Sequence, residues 1–571
     1  MSDEHGRLNR TAWLLSLAIG AYYAGLGLMV LVPESVYSGD IGVQYVQAQA
    51  LLDHRFRSLD IAYPGEFLDP ERRFFPIRPP FVFRSAGATQ SIFPTASALL
   101  QAVGVSAFGL HGMVVLSVIA GWATLACAAR LAPTPARVAV IVALGLASPL
   151  WFYAISGWHH AAGMALATAA FVLALTKAGP GGASASAPFL AGLALGAGAT
   201  LRDEVILLAP GLAIAVWLRT RGLRSVLELT VGAVAALGLA AAIDVMWFGR
   251  PAAAHVRHAV HLLQSALQTT DAPNDELPSL HPFTLRERYQ TVVQYWLFGY
   301  GNDRWLVTYI AGLLVALFVR WKFRSAIGVV VWLVGIMGAA ALDAWEVVTA
   351  PKWLAGLHRV APYLVFALLP VPTATDRSPG RSSSFFSPRI ALITAAAYLA
   401  FAFAGVDTTG GKGLGPRLLL PLLPILTVAA IIRLKGYLFA PASFDRWAGR
   451  IGVALVAMAL LVHTYATTYA YYARNRDDAS VVRAVANSRE RIVIADDPFT
   501  AQLLLPLYYR KIVLLADSPA AAQALGSMLT AQRVPGALLV SRNPEPSAAL
   551  PGLRVARSEQ VGRMSITQWV R

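Results

Sequence analysis

The stretch WLLSLAIGAYYAGLGLMVLV, residues 13–32, decides the fold: twenty consecutive residues without a single charge. A helix needs roughly 20 apolar residues to cross the ~30 Å hydrocarbon core of a bilayer. Arg7 and Arg10 precede the stretch. It is too long for a signal-peptide core and lacks a small-x-small cleavage pattern, so it is expected to be a retained first span.

Working outward, apolar segments recur at about 111–129, 138–155, 159–176, 188–201, 205–218, 226–248, 305–319, 326–342, 360–372, 390–406, 417–432 and 451–471. With the first this predicts about thirteen spans, two of them (188–201 and 205–218) short for a full crossing. Basic residues test the layout, because cytoplasmic connections carry an excess of Lys and Arg. The N-terminal tail and every second connection hold 18 basic and 4 acidic residues. The intervening 33–88 connection holds 6 basic and 7 acidic residues, and 249–304 holds 5 of each. The alternation predicts a multi-pass membrane protein with a cytoplasmic N-terminus.

Composition agrees. Of the 571 residues, 56% are hydrophobic and only 14% charged, well under the ~25% charge of a soluble domain. The net charge of +16 sits mainly in the cytoplasmic connections, which makes it a topology signal and removes the case for a nucleic-acid partner. A single cysteine, Cys127, excludes intrachain disulfides and Cys-based zinc sites.

The fold class expected is an α-helical polytopic membrane protein with a small extracytoplasmic C-terminal α/β domain. Residues 1–473 form the membrane domain, with extracytoplasmic loops 33–110 and 249–304, and residues 474–571 the second domain. In that tail, apolar runs at 491–496, 511–516 and 537–541 alternate with helical stretches at 479–487 and 519–532. Residues 91–107 read as an amphipathic helix at the membrane interface.

Polar residues at or near membrane depth are candidate functional groups. Asp40, in Tyr37-Ser38-Gly39-Asp40 just after the first span, reads either as a general base beside apolar surface or as a loop acid capping the next helix. Asp53 and Asp60 follow in the same loop. Arg202-Asp203-Glu204 separates the two short spans; it is either a grip for a phosphate or carboxylate or an Arg–Glu pair closing a hairpin. Trp158-His159-His160 opens another span, and adjacent residues on a helix point about 100° apart, so only one histidine is expected to face a site. Gly410-Gly411-Lys412-Gly413-Leu414-Gly415-Pro416-Arg417 offers a yielding backbone with two cations, without the spacing of a Walker phosphate loop. His255, His258 and His261 drift around a helix and read as a wet face rather than a metal site. Arg72, Arg73 and Arg78 with Phe74, Phe75 and Phe81 read as lipid-headgroup contacts.

These motifs together resemble the GT-C superfamily of integral-membrane glycosyltransferases, in particular the bacterial protein-mannosyltransferase-like and aminoarabinose-transferase-like branch. Four pieces carry the resemblance, which spans most of positions 10–475: Ser38-Gly39-Asp40 with Asp53; Ser148-Pro149-Leu150-Trp151 with Trp158-His159-His160; Leu201-Arg202-Asp203-Glu204; and Gly413-Leu414-Gly415-Pro416-Arg417-Leu418-Leu419-Leu420-Pro421. The resemblance implies a bacterial inner (cytoplasmic) membrane and transfer of a sugar from a polyprenyl-phosphate donor to an extracytoplasmic acceptor (protein, lipid or glycan of the cell envelope), with inversion. It implies Asp40 as base, with Arg202, His159 or His160, Arg417 and Lys412 near the donor phosphate and Glu204 and Asp53 in support. Two departures stand out. Relatives often have a second acid directly after the first-loop aspartate, where Ile41 stands here; this weakens a two-carboxylate metal site, though a divalent metal stays open. The tip often reads Arg-Pro-Glu, and Asp203 replaces the proline. The competing class is a transporter or flippase of lipid-linked sugars, which would show repeated halves and charge at mid-membrane depth; no repeat is visible.

Overall fold

The computed structural model describes residues 2–31, 34–79, 81–85, 87–176, 186–249, 283–299, 303–323, 326–349, 356–370, 386–405, 414–543 and 550–571. The chain is mainly helical. Among the described residues seven helical segments are long and apolar enough to cross a membrane: Arg7–Val30, Leu110–Leu131, Leu223–Phe248, Ile327–Val347, Pro388–Gly405, Arg417–Leu438 and Ser443–Asn487. Shorter apolar helices run Thr95–Phe108, Thr134–Leu146, His160–Leu175 and Ala187–Leu201.

The difference from about thirteen has local causes. The expected 138–155 span is broken at Ser148-Pro149 into Arg137–Leu146 and Leu150–Ile155. The 360–372 segment follows a single helical turn, Leu357–Val360, and holds only a 3-10 stretch, Pro362–Leu368. Its apolar character serves the interior, since Tyr363, Val365 and Phe366 are fully buried. Many lipid-length helices show the opposite pattern: Leu223–Phe248 exposes Leu227, Val231, Val234, Leu239 and Met246.

Small residues bring helices together where apolar surface alone cannot drive them, because lipid tails are as apolar as leucine. A Cβ on Gly192 would lie 2.0 Å from the Leu229 carbonyl oxygen, and one on Gly232 would lie 2.1 Å from that of Phe189. The Ala187–Leu201 and Leu223–Phe248 helices therefore touch backbone to backbone.

The last part of the chain is built on a sheet ordered β4-β3-β5-β7-β6, with β3 (Ile492–Ala495), β4 (Ile512–Leu515), β5 (Gly536–Ser541), β6 (Arg554–Val561) and β7 (Met564–Val570). β4, β3 and β5 are parallel; β7 and β6 are antiparallel additions. The three expected strands and the Pro519–Ala531 helix all form. The expected 479–487 helix is the end of a longer one, Thr468–Asn487, which continues out of the last membrane segment.

The long loop after the first helix is folded rather than loose. Its helix Gly39–Asp53 and a hairpin of β1 (Val82–Ser85) and β2 (Ala88–Ser91) share an apolar cluster with the sheet, including Ile61, Phe74, Ile494, Leu514 and Leu525. Leu515 N–H donates to Phe74 O at 2.8 Å, Tyr508 Oη to Ala62 O at 3.0 Å, and Gln532 Nε2 to Leu68 O at 3.0 Å. The basic-aromatic patch belongs to this packing rather than to a lipid surface. Phe74 and Phe75 are buried, and Arg72 donates to Thr89 Oγ1 at 2.5 Å and to Glu66 at 3.1 Å. Asp60 accepts the Thr89 N–H at 2.7 Å, which pins the hairpin.

Candidate active site

Asp40 sits in the first turn of Gly39–Asp53 and is only 8% exposed, so it is not a solvated loop acid. Ser38 is the N-cap residue of that helix. The Asp40 carboxylate accepts from Arg417 Nη1 in a largely buried ion pair that joins positions 377 residues apart. Its environment thus differs from the bare apolar surface expected of it. Arg417 opens the 3-10 turn Arg417–Leu422, and its guanidinium lies 5.3 Å from the Trp158 ring centroid.

One helical turn beyond Asp40, and so on the same face, Gln44 begins a second chain of contacts. Gln44 Oε1 accepts from Gln101 Nε2 at 2.6 Å and lies 2.8 Å from His159 Nδ1. His159 Nε2 in turn lies 3.1 Å from Arg202 Nη1. Because a guanidinium only donates, His159 Nε2 must accept, which places its proton on Nδ1 toward the Gln44 oxygen. Arg202 Nε also reaches both oxygens of Glu204, at 2.9 and 3.1 Å. The Arg–Glu pair therefore exists, as one end of a line that runs Glu204, Arg202, His159, Gln44.

Both histidines join this cluster, contrary to the one-histidine expectation. The helix begins at His160, so His159 lies before it and the helical spacing does not govern the pair. Their rings are 5.4 Å apart. His160 stacks on Tyr153 at 5.3 Å and lies 4.7 Å from Trp158. The break at Ser148-Pro149 lets the short Leu150–Ile155 helix deliver Tyr153, whose hydroxyl donates to Leu414 O at 3.2 Å beside the Arg417 turn.

The unmet polar atoms are the most informative feature. Gln44 Nε2, Gln101 Oε1, Trp158 Nε1, Arg417 Nε and both ring nitrogens of His160 are buried with no hydrogen-bond partner among the described residues. Each such atom ordinarily costs ~1–3 kcal/mol, so a cluster of them around one ion pair marks a place built to receive a polar ligand. Two cations, Arg202 and Arg417, suit an anion. Beside Ile41, a narrow cleft is lined by Gly27, Leu31, Val36, Met113, Val114 and Ile155.

Two expected members are not in the cluster. Asp53 is exposed at the far end of the Asp40 helix, thirteen residues on and therefore about 20 Å away at 1.5 Å per residue. Lys412, with Gly410–Gly413, lies outside the described residues, as do His255, His258 and His261. Among the described residues no group of three or more His, Cys, Asp and Glu side chains converges in a way that could hold a metal ion. Sequence reading missed Gln44, Gln101 and Tyr153. Gln44 is spaced i, i+4 from the carboxylate, but the sequence does not show that its amide is buried.

No family profile matches the sequence, and no curated protein matches it. Solved structures do resemble the chain. The crystal structure of ArnT from Cupriavidus metallidurans bound to undecaprenyl phosphate is 15% identical, with 98% of each chain covered and a TM-score of 0.49. The Archaeoglobus fulgidus oligosaccharyltransferase in complex with Zn and sulfate is 12% identical over 92% of this chain and 67% of that one, with a TM-score of 0.46. The archaeal oligosaccharyltransferase AglB from Archaeoglobus fulgidus, in complex with an inhibitory peptide and a dolichol-phosphate, is 11% identical over 92% and 69%, with a TM-score of 0.40.

Proposed function

We propose that this chain is an integral-membrane glycosyltransferase that moves a sugar from a polyprenyl-phosphate donor to an extracytoplasmic hydroxyl acceptor with inversion. The observation that carries the reading is the largely buried Asp40–Arg417 pair ringed by polar atoms with no partner among the described residues. Glycosyl transfer asks for a base at the attacking hydroxyl and positive charge at the departing phosphate, and a carboxylate and two guanidinium groups stand at this one place.

In the proposed step, Asp40 takes the proton of the acceptor hydroxyl as its oxygen bonds to the anomeric carbon. The bond from that carbon to the phosphate oxygen breaks, and the electron pair leaves with the polyprenyl phosphate. Arg202 and Arg417 neutralise that charge, assisted by His159 or His160, and Lys412 is assigned to the same phosphate. Glu204 holds Arg202 in orientation. Because Arg417 already pairs with Asp40, an arriving phosphate competes for the same guanidinium, so donor binding frees the carboxylate for the acceptor. The cleft at Ile41 is of mixed character, with Leu31, Val36, Met113, Val114 and Ile155 beside Ser35, His111, Ser156 and Asn475; its apolar wall suits the start of an isoprenoid tail, which must leave sideways into lipid. We assign the membrane part to residues 1–473, with the N-terminus cytoplasmic, and place the site and residues 474–571 on the opposite side.

The test is transfer from membrane-extracted lipid-linked sugars by the reconstituted protein, followed by mass analysis. Asp40→Asn is expected to lower transfer by roughly 10²–10⁴-fold, the usual weight of a positioned base, while the protein stays folded and membrane-inserted. Full activity in Asp40→Asn would overturn the assignment of Asp40.

A further inference from the structure

The short helix Pro498–Leu503 follows β3 and lands on the turn that carries Asp40. A Cβ on Gly39 would lie 2.0 Å from Gln502 Oε1 and 2.2 Å from Gln502 Cδ. One turn on, a Cβ on Gly42 would lie 2.9 Å from a Leu505 methyl. Glycine at these two positions therefore lets the C-terminal sheet press against the base-bearing helix, and the Gln502 amide fills the space a side chain at 39 would need.

Gln502 is 8% exposed, and its amide makes no hydrogen bond among the described residues. As packing alone this is a poor choice, since a buried amide without a partner is destabilising and leucine or methionine would fill the same space. The amide atoms are not sealed off as the orphan atoms of the Asp40 cluster are. An amide carries two donors and one acceptor, which suits the hydroxyls of a sugar or polyol. One turn back on the same short helix, Phe499 is 64% exposed, with the Arg542 guanidinium 5.3 Å from its ring centroid. Gln502 thus packs on the residue next to Asp40, and its short helix carries an exposed aromatic with a cation beside it.

We infer that Gln502 is a substrate-binding residue lent by the C-terminal sheet, its amide hydrogen-bonding a hydroxyl of the sugar or of the acceptor that meets Asp40. The inference rests on the glycosyl-transfer reading and adds that the membrane part alone holds an incomplete site. Both candidate ligands present hydroxyls, and the experiment separates them.

Full-length wild type and Gln502→Met are reconstituted with polyprenyl lipids extracted from native membranes. Release of free polyprenyl phosphate is measured with a cell-envelope fraction as acceptor and with water alone. Methionine keeps the volume against Gly39 and removes the amide, so the thermal midpoint is expected to equal or exceed that of wild type. A fall of about five- to tenfold, the weight of one neutral hydrogen bond, is expected. If release falls with both acceptors, the amide holds the donor sugar; if only envelope transfer falls, it holds the acceptor. Unchanged release under both conditions overturns the inference, as does a lowered midpoint that accounts for the loss. Protection of wild type from unfolding by undecaprenyl phosphate alone is the separate check. Wild type showing neither protection nor release overturns the glycosyl-transfer reading itself, whereas intact protection and release in Gln502→Met overturns only the role of Gln502.

Discussion

Arg417→Gln removes the cation from a carboxylate whose side chain is 12% exposed, and the arginine it replaces is itself 19% exposed. Breaking a buried pair by removing one partner costs roughly 3–5 kcal/mol, because the remaining charge stays buried and uncompensated. The residual exposure of both groups argues for the low end, about 3 kcal/mol. Asp40→Asn leaves the guanidinium over the Trp158 ring at 5.3 Å. That cation–π contact retains part of its stabilisation, and a smaller loss of about 2 kcal/mol is expected. The Asp40→Asn/Arg417→Gln double variant removes both charges, so it should be more stable than the two single losses added together, with a coupling of about 2–3 kcal/mol. Denaturant titration of the four detergent-solubilised proteins, followed by tryptophan fluorescence, gives the cycle. Adding undecaprenyl phosphate at about 100 times its Kd should stabilise wild type by roughly 2.7 kcal/mol, and Arg417→Gln by clearly less. Single-variant losses that add to within ~0.5 kcal/mol would refute the pair. Equal lipid stabilisation in both proteins would refute its tie to the donor.

Two further outcomes test the packing and the sheet. Gly192→Ala puts a methyl 2.0 Å from the Leu229 carbonyl oxygen, whereas a Cβ on Gly238 meets nothing within 4 Å. The first should lower the thermal midpoint by the equivalent of ~1–3 kcal/mol; Gly238→Ala should be neutral or stabilising by up to ~1 kcal/mol, and equal effects would count against the close helix crossing. In the sheet, burial raises the Asp496 carboxyl above its ordinary value, partly offset by the Ser541 hydroxyl at 2.5 Å. A raised folded value means that the ionised form weighs against the fold. Stability around β3 and β5 should therefore fall as pH rises from the ordinary carboxylate value through the raised one. Asp496→Asn should raise hydrogen-exchange protection there at neutral pH and leave it unchanged in acid; no difference at neutral pH would contradict the cause given.

Much of the fold was legible because its signals are local. Apolar runs of lipid length, and the parallel strands β3 and β4 with every residue buried, announce themselves by composition. β6 did not, because RVARSEQV is an exposed edge strand with no apolar alternation to read. The 360–372 segment misled for the complementary reason: an apolar run looks the same whether lipid or protein covers it. At the site, Asp40, Arg202, Glu204, His159, His160 and Arg417 stood out as charged or titratable residues beside apolar helices. Gln44 and Gln101, neutral and unremarkable in sequence, became visible only once their amides were seen to be buried.

What the sequence by itself determined, then, is a helical membrane chain, its basic alternation and the short list of polar residues next to spans. Each follows from hydropathy or charge within a window of some twenty residues. Only the tertiary structure decided that Asp40 meets Arg417 across 377 positions, that His159 bridges Gln44 to Arg202, and that Gln502 lies on Gly39. Desolvation and directional hydrogen bonding act between atoms a few ångströms apart, and only the folded chain determines which atoms those are.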